Sequence, residues 1–150
     1  MLNLFHRRIP VLLLAILLLV GCASYQRDFR TSVEEQPRPA TNALGPWVGE
    51  WRSDMNGHHG PLWCVIEPHG GGDHAFRYRA GWGVLRFGDY THIVPTRSDG
   101  AGGLIFEGQM DLPGGVGVHH VEGRVTPESF DARYRSERGD HGRMSLKRPD

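Results

Sequence analysis

In four segments between residue 74 and residue 147, apolar residues alternate with polar or charged ones at a period of two. In 74–80, Phe76, Tyr78 and Ala80 share one parity while Arg77 and Arg79 share the other. In 103–110, Leu104, Phe106, Gly108 and Met110 alternate with Ile105, Glu107 and Gln109. Phe130, Ala132, Tyr134 and Ser136 alternate with Asp131, Arg133, Arg135 and Glu137, and Met144 and Leu146 with Arg143, Ser145 and Lys147. Successive side chains of an extended chain point to opposite faces. Each segment therefore offers one face to a core and one to water, the pattern of antiparallel sheet wet on one side. No helical period in 46–150 lasts longer than two turns.

Strands are expected over 47–54, 61–67, 74–80, 84–95, 103–111, 116–126, 129–137 and 141–148. Short turn signals separate them. These include Asn56-Gly57, His69-Gly70-Gly71-Gly72-Asp73, Gly81-Trp82-Gly83, Pro113-Gly114-Gly115 and Arg138-Gly139-Asp140. Asn, Asp and Gly supply the positive φ that tight turns need. About eight strands joined by tight turns predict an all-β fold, a single antiparallel up-and-down barrel that closes and so removes its exposed edges. A two-sheet β-sandwich is the alternative. Parity points Trp47, Trp51, Leu62, Cys64, Ile66, Phe76, Tyr78, Leu85, Phe87, Leu104, Phe106, Met110, Val121, Phe130, Tyr134, Met144 and Leu146 inward. So many large side chains predict a mostly filled interior with at most a shallow cup at one end.

The first 22 residues have a different character. A short basic segment with Arg7 and Arg8 precedes an unbroken apolar run, Val11 to Val20. That order fits an export signal, and the run is too short to span a bilayer as a helix. It ends Leu19-Val20-Gly21-Cys22, which resembles the bacterial lipobox at all four positions. The resemblance implies a signal peptide over 1–21, cleavage between Gly21 and Cys22, and a diacylglyceryl group on the Cys22 thiol. Acyl chains hold a protein at a membrane durably once more than one is attached. Ala23, in place of Asp, implies sorting to the outer membrane where the host has two membranes. Residues 22–45 are polar, carry Pro37 and Pro39, and lack a sustained apolar period. They read as the lipidated N-terminus and a flexible tether, with a weak helical signal around 25–35. The folded domain is then 46–150.

The first expected strand contains Pro46-Trp47-Val48-Gly49-Glu50-Trp51 after Gly45. Gly-x-Trp at the head of a first strand resembles the calycin barrels, the lipocalins above all. The resemblance implies that Trp47 plugs the closed end and that a basic residue from the last strand, Arg143, Lys147 or Arg148, packs across it. It also implies a lipid or small apolar ligand against Trp47, Trp51, Phe76, Tyr78, Phe106 and Tyr134. The sequence departs from the lipocalins in having no Thr-Asp-Tyr after the sixth strand and no C-terminal helix.

Charge excludes other classes. Removing residues 1–21 takes away Arg7 and Arg8, so the 17 Lys and Arg fall to 15 against 17 Asp and Glu. A slightly acidic exported chain is a poor nucleic-acid binder. With Cys22 lipidated, Cys64 has no partner for a disulfide. It stands among Leu62, Trp63, Val65 and Ile66 and reads as a buried apolar residue. Eight histidines fall in the domain, at 58, 59, 69, 74, 92, 119, 120 and 141, and read as scattered surface residues. His69 and His74 span the Gly-rich turn and are the candidate metal ligands, although a site needs three or four converging groups. The sequence contains no Gly-x-Ser-x-Gly, Ser-x-x-Lys or phosphate loop, and no catalytic residue or cofactor is expected. The leading expectation is a membrane-anchored envelope lipoprotein with a non-catalytic barrel acting in envelope structure or protein interaction. Lipocalin-like ligand binding follows, then a metal protein or enzyme built on the loop histidines.

Overall fold

The computed structural model describes residues 24–112 and 117–150. The export signal, Gly21, Cys22 and the turn at 113–115 lie outside the described residues. Eight strands follow in order: β1 (Gly45–Ser53), β2 (His59–Gly70), β3 (Asp73–Trp82), β4 (Leu85–Ser98), β5 (Leu104–Leu112), β6 (Gly117–Val125), β7 (Ser129–Ser136) and β8 (His141–Lys147). Each is antiparallel to the next, and β8 returns to β1, so the sheet closes into an up-and-down barrel. The two-sheet alternative is not what forms. The His69–Asp73 stretch is tighter than the sequence suggests. Strands β2 and β3 continue to Gly70 and Asp73, leaving only 71–72 as the turn.

Closure depends on small residues where β1 and β8 meet. A Cβ on Gly49 would collide with the Ser145 carbonyl, and one on Gly142 with the Arg52 carbonyl. Inside, Trp47, Phe76, Tyr78, Phe106 and Phe130 are almost wholly buried, and Leu62, Cys64, Ile66, Val94, Val121 and Val125 fill the space between them. These are the in-phase residues of the alternating segments.

Among the described side chains one inward expectation fails, and that of Phe87 lies outside them. Leu85 is 59% exposed. The register between β3 and β4 slips by one residue between Tyr78 and Ala80. The slip lies beside Gly88, whose φ of 82° suits a bulge that a side chain would strain. Past it, Trp82 pairs with Leu85 at the rim, beyond the reach of the core. A second irregularity lies between β4 and β5, which pair only from Thr96–Phe106 to Ser98–Leu104.

The segment read as a tether is partly structured. Residues 24–35 form a helix, α1, that lies on the outer face of β3. Tyr25 is buried there, donates its hydroxyl to the Arg77 carbonyl at 3.2 Å, and stacks on Phe29. The Arg77 and Arg79 guanidinium carbons each lie 5.8 Å from the Tyr25 ring centre, and Asp28 pairs with Arg77 at 3.4 Å. A polar helix with one aromatic pair can dock this way because β3 presents arginine stems, which cover apolar surface while keeping their charge.

Candidate functional site

The closed end is built around Trp47. Its indole N–H donates to the Ala43 carbonyl at 3.1 Å, and the Arg148 guanidinium lies 3.7 Å from its ring centre. Arg148 also donates to the carbonyls of Asn42, Leu44, Pro46 and Pro127, between 2.5 and 3.2 Å. Burial brings its pKa down to about 10, so it stays charged at neutral pH. Of the three basic residues considered for this position, Arg148 occupies it. Arg143 pairs instead with Asp54 and Lys147 with Asp150.

Above Trp47 the interior is packed. Phe76 lies 4.7 Å from Phe106 and 6.1 Å from Phe130, measured between ring centres, and Tyr78 stacks on Tyr90 at 5.5 Å. Trp47, Phe76, Tyr78, Phe106 and Tyr134 thus touch one another or shared neighbours as core, while Trp51 is half-buried and donates to the Gly81 carbonyl at 3.0 Å. Cys64 is fully buried opposite Tyr78, and burial pushes both its thiol and the Tyr78 hydroxyl well up. A protonated thiol in this setting is a poor nucleophile.

The histidines divide into two groups. His69 is exposed near the end of β2, while His74 is half-buried with its Nδ1 2.7 Å from the Thr96 hydroxyl. Among the described residues, no three His, Cys, Asp or Glu groups are placed to hold a metal ion. His92 and His119 are not surface residues, as had been expected, but are buried within the barrel. Parity carried the signal for His119, in phase with Val121; His92 shares the inner face with Tyr90 and Val94 only because the slip beside Gly88 resets the parity expected from Leu85 and Phe87. His92 reaches across the gap between β4 and β5 to the Gln109 main chain, and Gly108 leaves room for its ring. Burial lowers its pKa below the ordinary histidine value. His119 Nδ1 lies 2.9 Å from the Gly117 carbonyl, and its ring packs on Tyr134.

At the other end of the barrel, Ser53 donates to Asp140 at 2.6 Å and Tyr134 donates to the same carboxylate at 3.5 Å. Burial first, with the Asp140 charge behind it, raises the Tyr134 hydroxyl to about 12. This buried knot ties the β1–β2 turn to the β7–β8 turn and fixes the outer face beside it.

That outer face carries the most unusual arrangement of charge. In register, Arg52 lies directly opposite Arg143, and Arg143 directly opposite Arg133. One rung nearer the rim, His141 lies opposite Arg135, and Arg135 opposite His120. Directly opposed side chains on neighbouring strands start about 5 Å apart, and like charges so placed destabilise a sheet. Arg143 pairs with Asp54 at 2.8 Å, and Glu122 stands directly opposite Arg133 on β6, but among the described residues no ion pair closes on Arg52, Arg133 or Arg135. The Arg143 hydrogen bonds hold the Asp54 carboxyl below the usual range. A cleft of about 410 Å³ opens beside the arginine row, lined by Glu50, Arg52, Asp54, Gly57, Arg143 and Ser145. The geometry offers several forked donors in a row, suited to carboxylates or other flat anions. Sequence parity placed these arginines on an outer face, but only strand register shows that they stand side by side.

No family model, curated protein or solved structure matches this chain.

Proposed function

We propose that this chain is a lipid-anchored protein of the bacterial cell envelope whose barrel serves as a non-catalytic docking module. The face formed by β1, β8 and β7 receives an acidic surface of an envelope protein. The observation that carries the reading is the row Arg52–Arg143–Arg133, three arginines directly opposed across neighbouring strands. Such a row costs stability in the isolated chain, and an acidic partner converts that cost into attraction. The packed aromatic interior moves the reading away from a ligand held inside the barrel. The Leu19-Val20-Gly21-Cys22 motif supports the anchor. Arg148 across Trp47 supports kinship with the calycin barrels, here with the interior filled.

The test uses full-length chain purified gently from membranes. Intact mass reports the lipid on Cys22, and sedimentation reports any complex. The expected result is a complex that dissociates as salt is raised, because exposed charges are screened within about 8 Å at physiological ionic strength. Arg133→Glu should abolish it while leaving the barrel folded. A complex indifferent to both salt and Arg133→Glu would overturn the docking assignment.

A further inference from the structure

The β3–β4 hairpin ends in an apolar tip. Trp82 is 50% exposed, Val84 96% and Leu85 59%. Single exposed hydrophobic residues are ordinary, but a cluster at a protruding turn marks a contact surface. Met55, 55% exposed, stands on the β1–β2 turn at the same end of the barrel, and the His58 ring lies 5.3 Å from Trp82. Arg86 folds back on the hairpin. It donates to the Gly83 carbonyl at 3.1 Å and the Leu85 carbonyl at 3.0 Å, and its guanidinium carbon lies 5.6 Å from the Trp63 ring centre. The tip therefore satisfies part of its own backbone, as a segment entering an apolar layer must.

The direction of α1 says what the tip faces. Near its start, Tyr25 lies against Arg77 and Arg79, at the middle of β3 and one step toward the tip. Just past its end, Gln36 reaches Arg148 at the closed end. Helix α1 thus runs from the tip side of the barrel to the closed side. Trp82 lies three residue steps beyond Arg79, about 10 Å, and Cys22 precedes Ser24 by two residues, at most about 7 Å. The first described residue, Ser24, and the apolar tip thus lie toward the same end.

We infer that the Trp82–Leu85 tip is a second membrane contact, inserting into the interfacial layer of the bilayer that holds the Cys22 lipid and standing the barrel on that end. The inference rests on the lipid-anchor reading. Tryptophan favours the headgroup level, with its apolar ring inward and its N–H wet, and a second contact adds avidity to the lipid anchor. Standing on this end, the barrel presents its arginine rows sideways to neighbouring envelope proteins.

The test labels full-length chain at Val84→Cys with an environment-sensitive fluorophore and reconstitutes it in phosphatidylethanolamine–phosphatidylglycerol vesicles. Buried Cys64 does not compete for the label, and Glu128→Cys, on the exposed turn at the closed end, is the control. Quenchers fixed within the bilayer should dim the label at 84 at least fivefold more than the label at 128. Intact mass of the same sample reports the Cys22 lipid. Equal, weak quenching at both positions in lipid-bearing chain would overturn the tip contact and leave the anchor standing. A chain with no lipid mass would overturn both.

Discussion

Replacing Arg148 with Ala should cost the barrel about 3–4 kcal/mol. The guanidinium sits 3.7 Å from the Trp47 ring centre and donates to four main-chain carbonyls from two separate stretches of chain, 42–46 and Pro127. A hydrogen bond from a charged donor contributes about 1.5–3 kcal/mol, and a partly desolvated cation–π contact about 1–2 kcal/mol. These terms overlap, and water reaches the half-exposed end once the side chain is gone, so the net loss falls well below their sum. Against a typical total of about 5–15 kcal/mol, this is a large fraction. Urea unfolding followed by far-ultraviolet circular dichroism measures it. Arg148→Lys keeps the charge but loses the planar fork, and should recover less than half of the loss. Arg143→Ala is the control, expected within about 0.5 kcal/mol because its Asp54 partner is exposed. A loss below about 1 kcal/mol for Arg148→Ala would refute the idea that this residue clamps the closed end.

Two further perturbations separate other parts of the account. His92 is buried with its pKa lowered from the ordinary 6.5, so below about pH 6.5 the unfolded chain takes up a proton that the barrel resists. Stability should be flat from pH 8 to 7 and fall as pH drops below 6.5, with His74 contributing in the same direction. His92→Gln, which can still donate to the Gln109 carbonyl, should flatten part of that fall in urea titrations; an unchanged slope would remove His92 from the explanation. Arg52→Thr relieves one opposed arginine pair, has His59 and no carboxylate directly opposite on its other side, and places a β-branched residue on a strand, so it should stabilise the barrel by about 0.3–0.5 kcal/mol. Destabilisation by that substitution would mean that the row is not under repulsion.

The fold was legible because its signal is local. A period of two survives in β3, β5, β7 and β8, and turn residues mark the strand ends. Reading the parity through would also have placed His119 inside with Val121, whereas His92 was hidden because the slip beside Gly88 resets the parity between Phe87 and Tyr90. Leu85 defeats the same reasoning differently: the register keeps it in phase with buried Ala80, but it pairs with Trp82 at the end of the hairpin, beyond the core. Helix α1 was hard to see because its binding side is two aromatics, Tyr25 and Phe29, four residues apart in an otherwise polar segment, and the rest of its docking comes from arginines on β3. The arginine row was invisible for a different reason. Arg52, Arg133 and Arg143 are distant in sequence, and only the register of β1, β8 and β7 brings them together.

The most direct test of the docking face is site-specific photo-crosslinking in the living host. A photoreactive residue at Ser145, exposed between the arginine strands, is compared with one at Glu67, exposed on β2. The account predicts a crosslinked envelope protein from position 145 and none from position 67, with the product lost when Arg52 and Arg133 are changed to Glu. The same product from both positions, or a product from 145 that survives the charge reversal, would contradict it.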